Sequence, residues 1–249
     1  MDNQSSTAPI VIDNLHKSFG NHTVLNGISL QVERGETVAV LGRSGIGKSV
    51  LLKLIIGLQP SDSGSVKIDG QEITGLDVQQ LNEVRRRIGF LFQEAALYDS
   101  LTVEENVAFP LSRHTNLPAA ERKKRVRELL GSVGMDQDLE KMPSEISGGM
   151  QKRVGLARAL ALDPNILLFD EPTAGLDPIT AAEIGKLILE LKQKRQMTAI
   201  VVTHDIRGAK VFSDRIALIH EGNILADEPL ADLQKNKHPF VIQFLKDSS

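Results

Sequence analysis

Between residues 10 and 32 apolar positions alternate with polar ones, tightly at Ile10 and Ile12 and more loosely at Val24, Ile28, Leu30 and Val32. Period-two alternation marks half-buried strands, so two or three strands are expected here, with Phe19-Gly20 between them and Asn26-Gly27 as a turn or bulge. Residues 33–36 form a tight connection. The apolar run 37–41 then meets Gly42-Arg43-Ser44-Gly45-Ile46-Gly47-Lys48-Ser49, and residues 50–56 follow with a helical look. A short strand is expected at 65–69. A helix is expected over 77–87, capped by Asp77 and with Leu81 and Val84 on one face. Residues 88–92 read as a strand running straight into Gln93.

From Glu94 the pattern turns helical. Thr102 is placed to cap a helix from Val103 toward Phe109, with Glu105 at the capping-box position and Pro110 ending or bending it. A second helix is expected over 118–133, closed by Gly134. Residues 144–147 lead into a third over 148–162. Beyond Pro164 the α/β rhythm resumes. Residues 165–169 are a continuous apolar strand, as in a parallel sheet covered on both faces. Residues 179–194 form an amphipathic helix with Ile184, Leu187, Ile188 and Leu191 on one side. A strand over 198–203, a helix over 206–212, a hairpin across Glu221-Gly222 and two short helices (230–235 and 238–246) complete the chain.

Composition narrows what such a chain can do. Of 249 residues, 41% are hydrophobic, enough for a sizeable core, and the formal net charge of -3 argues against general binding to nucleic acid or anionic membrane. The absence of cysteine removes disulfides and thiolate metal sites and suits the cytosol. Residues 1–9 are polar and lack the apolar region of a secretion signal. The longest apolar runs are far below the roughly 20 residues that span a bilayer, so a role at a membrane is expected to run through a partner. Arg85-Arg86-Arg87 and the basic run at 122–127 read first as solvated helix faces.

Two stretches carry chemistry. Strand, glycine loop and helix in that order make residues 42–49 a phosphate loop. Its glycines let backbone N–H groups turn inward, and the following helix, opened by Val50, aims further N–H groups and a positive dipole end at the same point. Lys48 can reach β- and γ-phosphates, and Ser49 offers a hydroxyl to Mg²⁺. The second stretch, Ile166-Leu167-Leu168-Phe169-Asp170-Glu171, is an apolar strand delivering two carboxylates at its carboxyl end, where open α/β sheets bind ligands. Asp170 is placed for the Mg²⁺ shell, and Glu171 to orient or deprotonate an attacking water.

Further motifs then fall in order. Ile146-Ser147-Gly148-Gly149-Met150 is similar to the signature LSGGQ, and Ala174-Gly175-Leu176-Asp177 to a D-loop. Val201-Val202-Thr203-His204-Asp205 resembles a switch-histidine segment, Gln93 stands at the Q-loop glutamine, and Phe19 at the adenine-stacking aromatic, where core packing is its other reading. Over about residues 10–226 the chain resembles the ATPase subunits of ABC transporters. The resemblance implies one ABC ATPase domain: a RecA-like α/β P-loop core with an antiparallel β subdomain (8–93 and 163–228), a helical signature subdomain (94–162) and a short helical tail (229–249). It implies ATP and Mg²⁺ as cofactors. Lys48, Gln93, Glu171 and His204 would be catalytic, and Ser49, Gln93 and Asp170 would surround the metal. Phe19, Gly42, Arg43, Ser44, Gly45, Ile46, Gly47, Lys48, Ser49 and Val50 would hold the nucleotide. Ser147, Gly148, Gly149 and Asp177 would close on the nucleotide of a second copy in a head-to-tail dimer.

Soluble DNA-repair relatives need a long coiled coil between the Q-loop and the signature, and ribosomal relatives need two cassettes; neither fits. A non-hydrolysing module would be expected to lose Lys48 or Glu171, and both are present. The stretches 92–98, 101–111, 142–150 and 169–180 resemble ATPases of the MCE-linked, Mla-type phospholipid transporters. That likeness implies an MlaE-type permease, an MlaD-type MCE protein and an MlaB-type STAS protein as partners, phospholipid as cargo, and a place on the cytoplasmic face of the inner membrane of a diderm bacterium. The alternative is the ATPase of a small-molecule importer, such as one for amino acids. Residues 93–101 are expected to form the groove for the permease, with Ala95, Ala96, Leu97 and Tyr98 as its apolar members.

Overall fold

The structure, a computed structural model, describes residues 8–247. Of the polar stretch judged not to be a secretion signal, residues 1–7 lie outside the described residues. Two long antiparallel strands open it, β1 (Ile10–Phe19) and β2 (His22–Val32), followed by β3 (Thr37–Leu41), α1 (Lys48–Ile55), β4 (Ser63–Ile68) and the two-residue β5 (Gln71–Glu72). Then come α2 (Val78–Arg85), β6 (Ile88–Leu91), α3 (Val103–His114), α4 (Ala119–Ser132), a 3₁₀ turn at Pro143–Glu145 and α5 (Gly148–Ala159). The rest is β7 (Ile166–Asp170), α6 (Pro178–Arg195), β8 (Thr198–Thr203), α7 (Ile206–Phe212), β9 (Arg215–His220), β10 (Asn223–Glu228), α8 (Leu230–Leu233) and α9 (Pro239–Asp247).

The strands form two sheets, one of order β2-β1-β4-β5 and one of order β10-β9-β3-β8-β7-β6. The first is antiparallel throughout. Asn26-Gly27 does not end a strand: the β1–β2 register shifts there, so the pair makes a bulge within β2. In the second sheet β9, β3, β8, β7 and β6 run parallel and only β10 is antiparallel. Side chains of each buried strand alternate between two apolar clusters. Ile166 and Leu168 face the cluster shared with the antiparallel sheet and α1, whereas Leu167 and Phe169 face the cluster built from α3, α4, α5 and α6. A third cluster places α7, α8 and α9 over Ala39, Leu41, Ile216 and Leu218. Fully burying one such side chain contributes about 1.5–3 kcal/mol, which is why β7 has no polar residue before Asp170.

Capping follows the local chemistry. Asp77 and Thr102 both form complete capping boxes, with Gln80 and Glu105. Three expectations are corrected. The helix begun at Thr102 continues through Pro110 to His114, because Val103, Val107 and Leu111 bury one continuous face that outweighs the lost N–H. Arg85 is not a solvated residue: its guanidinium donates to the carbonyls of Ile56 (3.0 Å) and Gly57 (2.8 Å) and closes the end of α1. Of the expected groove at 93–101, Ala95 is buried and Leu97 packs on the helical cluster, so only Ala96 and Tyr98 line a surface cleft of about 450 Å³ beside Phe90, Phe92 and Phe109.

Candidate active site

Four loops meet because four parallel strands end level. Leu41 pairs with Thr203, Val202 with Asp170, and Phe169 with Leu91. The phosphate loop, His204, the Asp170–Glu171 pair and Gln93 therefore leave the sheet side by side at its carboxyl edge, the ligand end of such sheets.

The phosphate loop has the form a polyphosphate needs. Gly47 caps α1 with φ of 105°, outside the range of ordinary side chains, and a Cβ there would stand 2.4 Å from Val24 Cγ1. No side chain caps α1 and no acidic residue occupies its first turn. Its N–H groups and dipole are thus left to an anion. Lys48 is buried, and its Nζ donates to the carbonyls of Gly42 (2.9 Å) and Arg43 (3.1 Å). The Arg43 side chain turns the other way, its guanidinium 5.6 Å from the centre of the Phe240 ring on α9. That side chain serves tail packing, so any nucleotide contact by Arg43 is left to its backbone.

Glu171 is the junction of the site. Its Oε1 lies 3.5 Å from Lys48 Nζ, and its Oε2 accepts from the backbone N–H of His204 (3.3 Å) and meets His204 Nδ1 at 3.0 Å. Its backbone is left-handed, φ 47°, a conformation that costs a non-glycine residue about 1–3 kcal/mol and that turns its carboxylate into the cleft. Ser49 Oγ donates to Asp170 Oδ1 at 2.7 Å. A cleft of about 410 Å³ is lined by Phe19, His22, Val24, Ser44, Gly45, Gly47, Lys48, Ser49, Val50, Gln93, Glu171 and His204. Phe19 is half-exposed at its rim, with Lys17 Nζ 5.4 Å from the ring centre, which removes the core-packing reading of this side chain.

Burial raises Asp170 above the usual carboxylate range, helped by the charge of Glu171 and opposed by the Ser49 hydrogen bond and by Lys53 and Lys48. A carboxyl whose pKa is raised by folding destabilises the protein above its folded-state value. That cost fades as pH falls toward its unfolded value. Asp170→Asn is therefore expected to raise the Tm at pH 7–8, measured without added nucleotide. The gain should shrink at pH 4–5. Thermal scans at both pH values check this, and a drop in Tm at neutral pH would contradict it.

The remaining expected site residues do not line this cleft. Ser147 is exposed and caps α5, accepting from the Met150 N–H at 3.3 Å. Gly149 has a reason within its own chain, since a Cβ there would stand 2.4 Å from Thr180 Cγ2 on α6. Asp177 caps α6, accepting from Ile179 N (3.0 Å), Thr180 N (3.1 Å) and Thr180 Oγ1 (2.6 Å), and these bonds lower its pKa. Gly148 and Ile46 flank the two loops without facing the shared cleft. Three contacts escaped the sequence reading: His22 and Val24 in the cleft wall, and Lys152, whose Nζ donates to the carbonyl of Gln93. A lysine on the same helical face as Gly148, Gly155, Leu156 and Ala159 is the signal that could have shown the last.

The sequence pattern of the family described as ABC transporter matches residues 25–174, more than half of the chain. This chain belongs to the ABC-transporter family. Cassettes of that family bind ATP with Mg²⁺ and hydrolyse it in step with transport. The chain is 41% identical over 236 residues to the probable ribonucleotide transport ATP-binding protein mkl of Mycobacterium tuberculosis (strain ATCC 25618 / H37Rv), covering 95% of this chain and 66% of that protein. It is 40% identical over 240 residues to the methionine import ATP-binding protein MetN of Brucella abortus (strain 2308), covering 96% of this chain and 65% of that protein. The chain thus spans about two thirds of the length of these relatives. Among solved structures, the dimeric post-hydrolysis state of the ATP-binding cassette MJ0796 bound to ADP and Pi superposes with a TM-score of 0.82 at 36% identity, over 89% of this chain and 98% of that one. The cassette cbiO1 from Clostridium perfringens, part of the complex cbiONQ, gives 0.84 at 30% identity, over 93% and 92%. The ABC cassette fold expected from the motifs is therefore the fold observed, with the antiparallel sheet and the helical subdomain in place.

The donor set fits Mg²⁺–ATP. Among the described residues no group of three or more His, Cys, Asp and Glu could hold a metal by itself. A cation next to Ser49 and Asp170 would need phosphate oxygens to complete its shell, as Mg²⁺ does in phosphoryl-transfer sites. Among the described residues no helix is long and apolar enough to cross a membrane.

Proposed function

We propose that this chain is the ATP-hydrolysing subunit of a membrane transporter. The observation that carries the reading is the connected network of Lys48, Glu171 and His204, with Ser49 and Asp170 alongside, at the rim of an uncapped helix N-terminus. Backbone N–H groups of residues 44–50 and the Lys48 ammonium hold the phosphates. Ser49, Asp170 and Gln93 hold Mg²⁺, which neutralises phosphate charge when bound. Glu171 accepts the proton of the attacking water, His204 orients Glu171, and Phe19 stacks on the base. Ser147, Gly148, Gly149 and Asp177 lie outside this cleft, which supports assigning them to the nucleotide of a second copy in a head-to-tail pair. The division into core with β subdomain (8–93 and 163–228), helical subdomain (94–162) and tail (229–249) belongs to the same reading.

The cargo reading is narrower. The motif stretches around Gln93, Ser147 and Asp177 support an MlaF-type subunit that works with an MlaE-type permease, an MlaD-type MCE protein and an MlaB-type STAS protein. It would move phospholipid between the membranes of a diderm bacterium from the cytoplasmic face of the inner one. A second reading is favoured by the 40% identity to a methionine import protein, namely a small-molecule importer. Purifying the chain with its membrane partners and identifying the bound ligand by mass spectrometry separates the two. Co-purified phospholipid is the expected result, and an amino acid without phospholipid would sink the lipid reading.

A further inference from the structure

The signature helix α5 carries two cations whose heads point inward. Lys152 is 5% exposed, and its Nζ donates to the carbonyl oxygens of Gln93 and, at 3.3 Å, of Glu171. Arg158 donates to the carbonyls of Ala95 (2.6 Å) and Ala96 (2.7 Å). Between the two, Gly155 brings the helix so close that a Cβ would meet Leu91 Cδ1 at 2.9 Å and Ala95 Cβ at 3.2 Å. The loop after β6 is thus gripped along its length by α5, and Ala95 and Ala96 take positive φ (56° and 48°) to present their carbonyls to it.

Lys152 differs from Arg158 in what it joins. Gln93 and Glu171 leave different strands, β6 and β7, and both line the cleft. The left-handed backbone of Glu171 sends its carboxylate toward Lys48 and His204 and its carbonyl toward α5, where Lys152 receives it. A buried ammonium is costly unless its donors find acceptors, and the acceptors here are main-chain groups of two residues in the site. Burial also pushes the amine below the ordinary lysine range, against the carboxylates of Glu94, Asp170 and Glu171.

We infer that Lys152 is a positioning residue for ATP hydrolysis: it ties the carbonyls of Gln93 and Glu171 to the signature helix, so that the helix, the Q-loop and the backbone of the general base shift as one unit. This rests on the hydrolase reading above. The side chain lies behind the cleft and acts through Glu171 and Gln93. Its loss therefore loosens the geometry of the chemical step and leaves the phosphate cradle of α1 as it was.

The test compares the full-length chain with its Lys152→Met and Lys152→Gln variants in Mg²⁺–ATP turnover, and separately in binding of a fluorescent ATP analogue. Lys152→Met keeps the stem and removes every donor. It is expected to lower kcat about tenfold or more while the dissociation constant stays within about threefold. Lys152→Gln, whose amide can still donate, is expected to recover part of that kcat. Lys152→Ala replaces the Met variant if circular dichroism shows the latter unfolded. A kcat within about twofold of wild type in the donor-free variant overturns the inference. So does weakened nucleotide binding at unchanged kcat, and so does a Gln variant no better than Met. A wild-type chain that binds the analogue but never turns over ATP overturns the hydrolase reading itself.

Discussion

Glu171→Gln is expected to lower the kcat for ATP hydrolysis by about 10²–10⁴-fold, the usual contribution of a positioned general base, with nucleotide affinity equal to or tighter than wild type. The substitution keeps shape and an acceptor oxygen, so the N–H of His204, now 3.3 Å from Oε2, still has a partner. What disappears is the capacity to take a proton. The charge facing Lys48 at 3.5 Å disappears with it, and that ammonium is then free to serve phosphate alone. Chemistry stalls while binding survives, and the ATP-loaded form accumulates. Phosphate release at steady state, together with light scattering before and after ATP, measures both halves. Turnover at the wild-type rate would remove Glu171 from its role. A tight dimer before ATP is added would remove the nucleotide from the seam between copies.

Lys48→Ala is expected to weaken Mg²⁺–ATP binding by about 10²-fold, read by titration calorimetry. Hydrogen bonds to charged groups contribute about 1.5–3 kcal/mol each, and tenfold in affinity corresponds to about 1.4 kcal/mol. The Lys48 ammonium is held by the carbonyls of Gly42 and Arg43 and faces Glu171, so its position is fixed by the chain itself and little side-chain entropy is lost in contacting phosphate. Its removal also leaves the buried Glu171 carboxylate with His204 as its one remaining side-chain partner among the described residues, so Tm should fall together with affinity. Unchanged affinity would show that the backbone cradle suffices without the lysine.

The elements were legible where one physical rule acted alone. Alternation revealed β1 and β2, side-chain caps revealed the starts of α2 and α3, an apolar face revealed α6, and the phosphate loop declared itself through strand, glycine and helix in order. Readings failed where two rules competed. Pro110 is a breaker by its own chemistry, and a buried face on both sides of it carried α3 onward. Arg85 sits in a run of three arginines, yet its position beside the open end of α1 decided its fate. Asp177, picked out by a motif, also serves as a local cap, a role the motif does not encode. For Lys152 the helical face was legible but its acceptors were not: they are main-chain carbonyls 59 and 19 residues away, and no side-chain pattern records where a carbonyl points.

The strand that carries Asp170 and Glu171 has a mechanical consequence. β7 lies between β6 and β8 and feeds one apolar cluster through Ile166 and Leu168 and the opposite one through Leu167 and Phe169. Moving it would disturb both at once, whereas α5 packs into the second of them alone. Asp170, the last residue of β7, is therefore held from both faces of the sheet. The joint travel of α5, the Q-loop and the Glu171 backbone would then be read against that one anchored carboxylate.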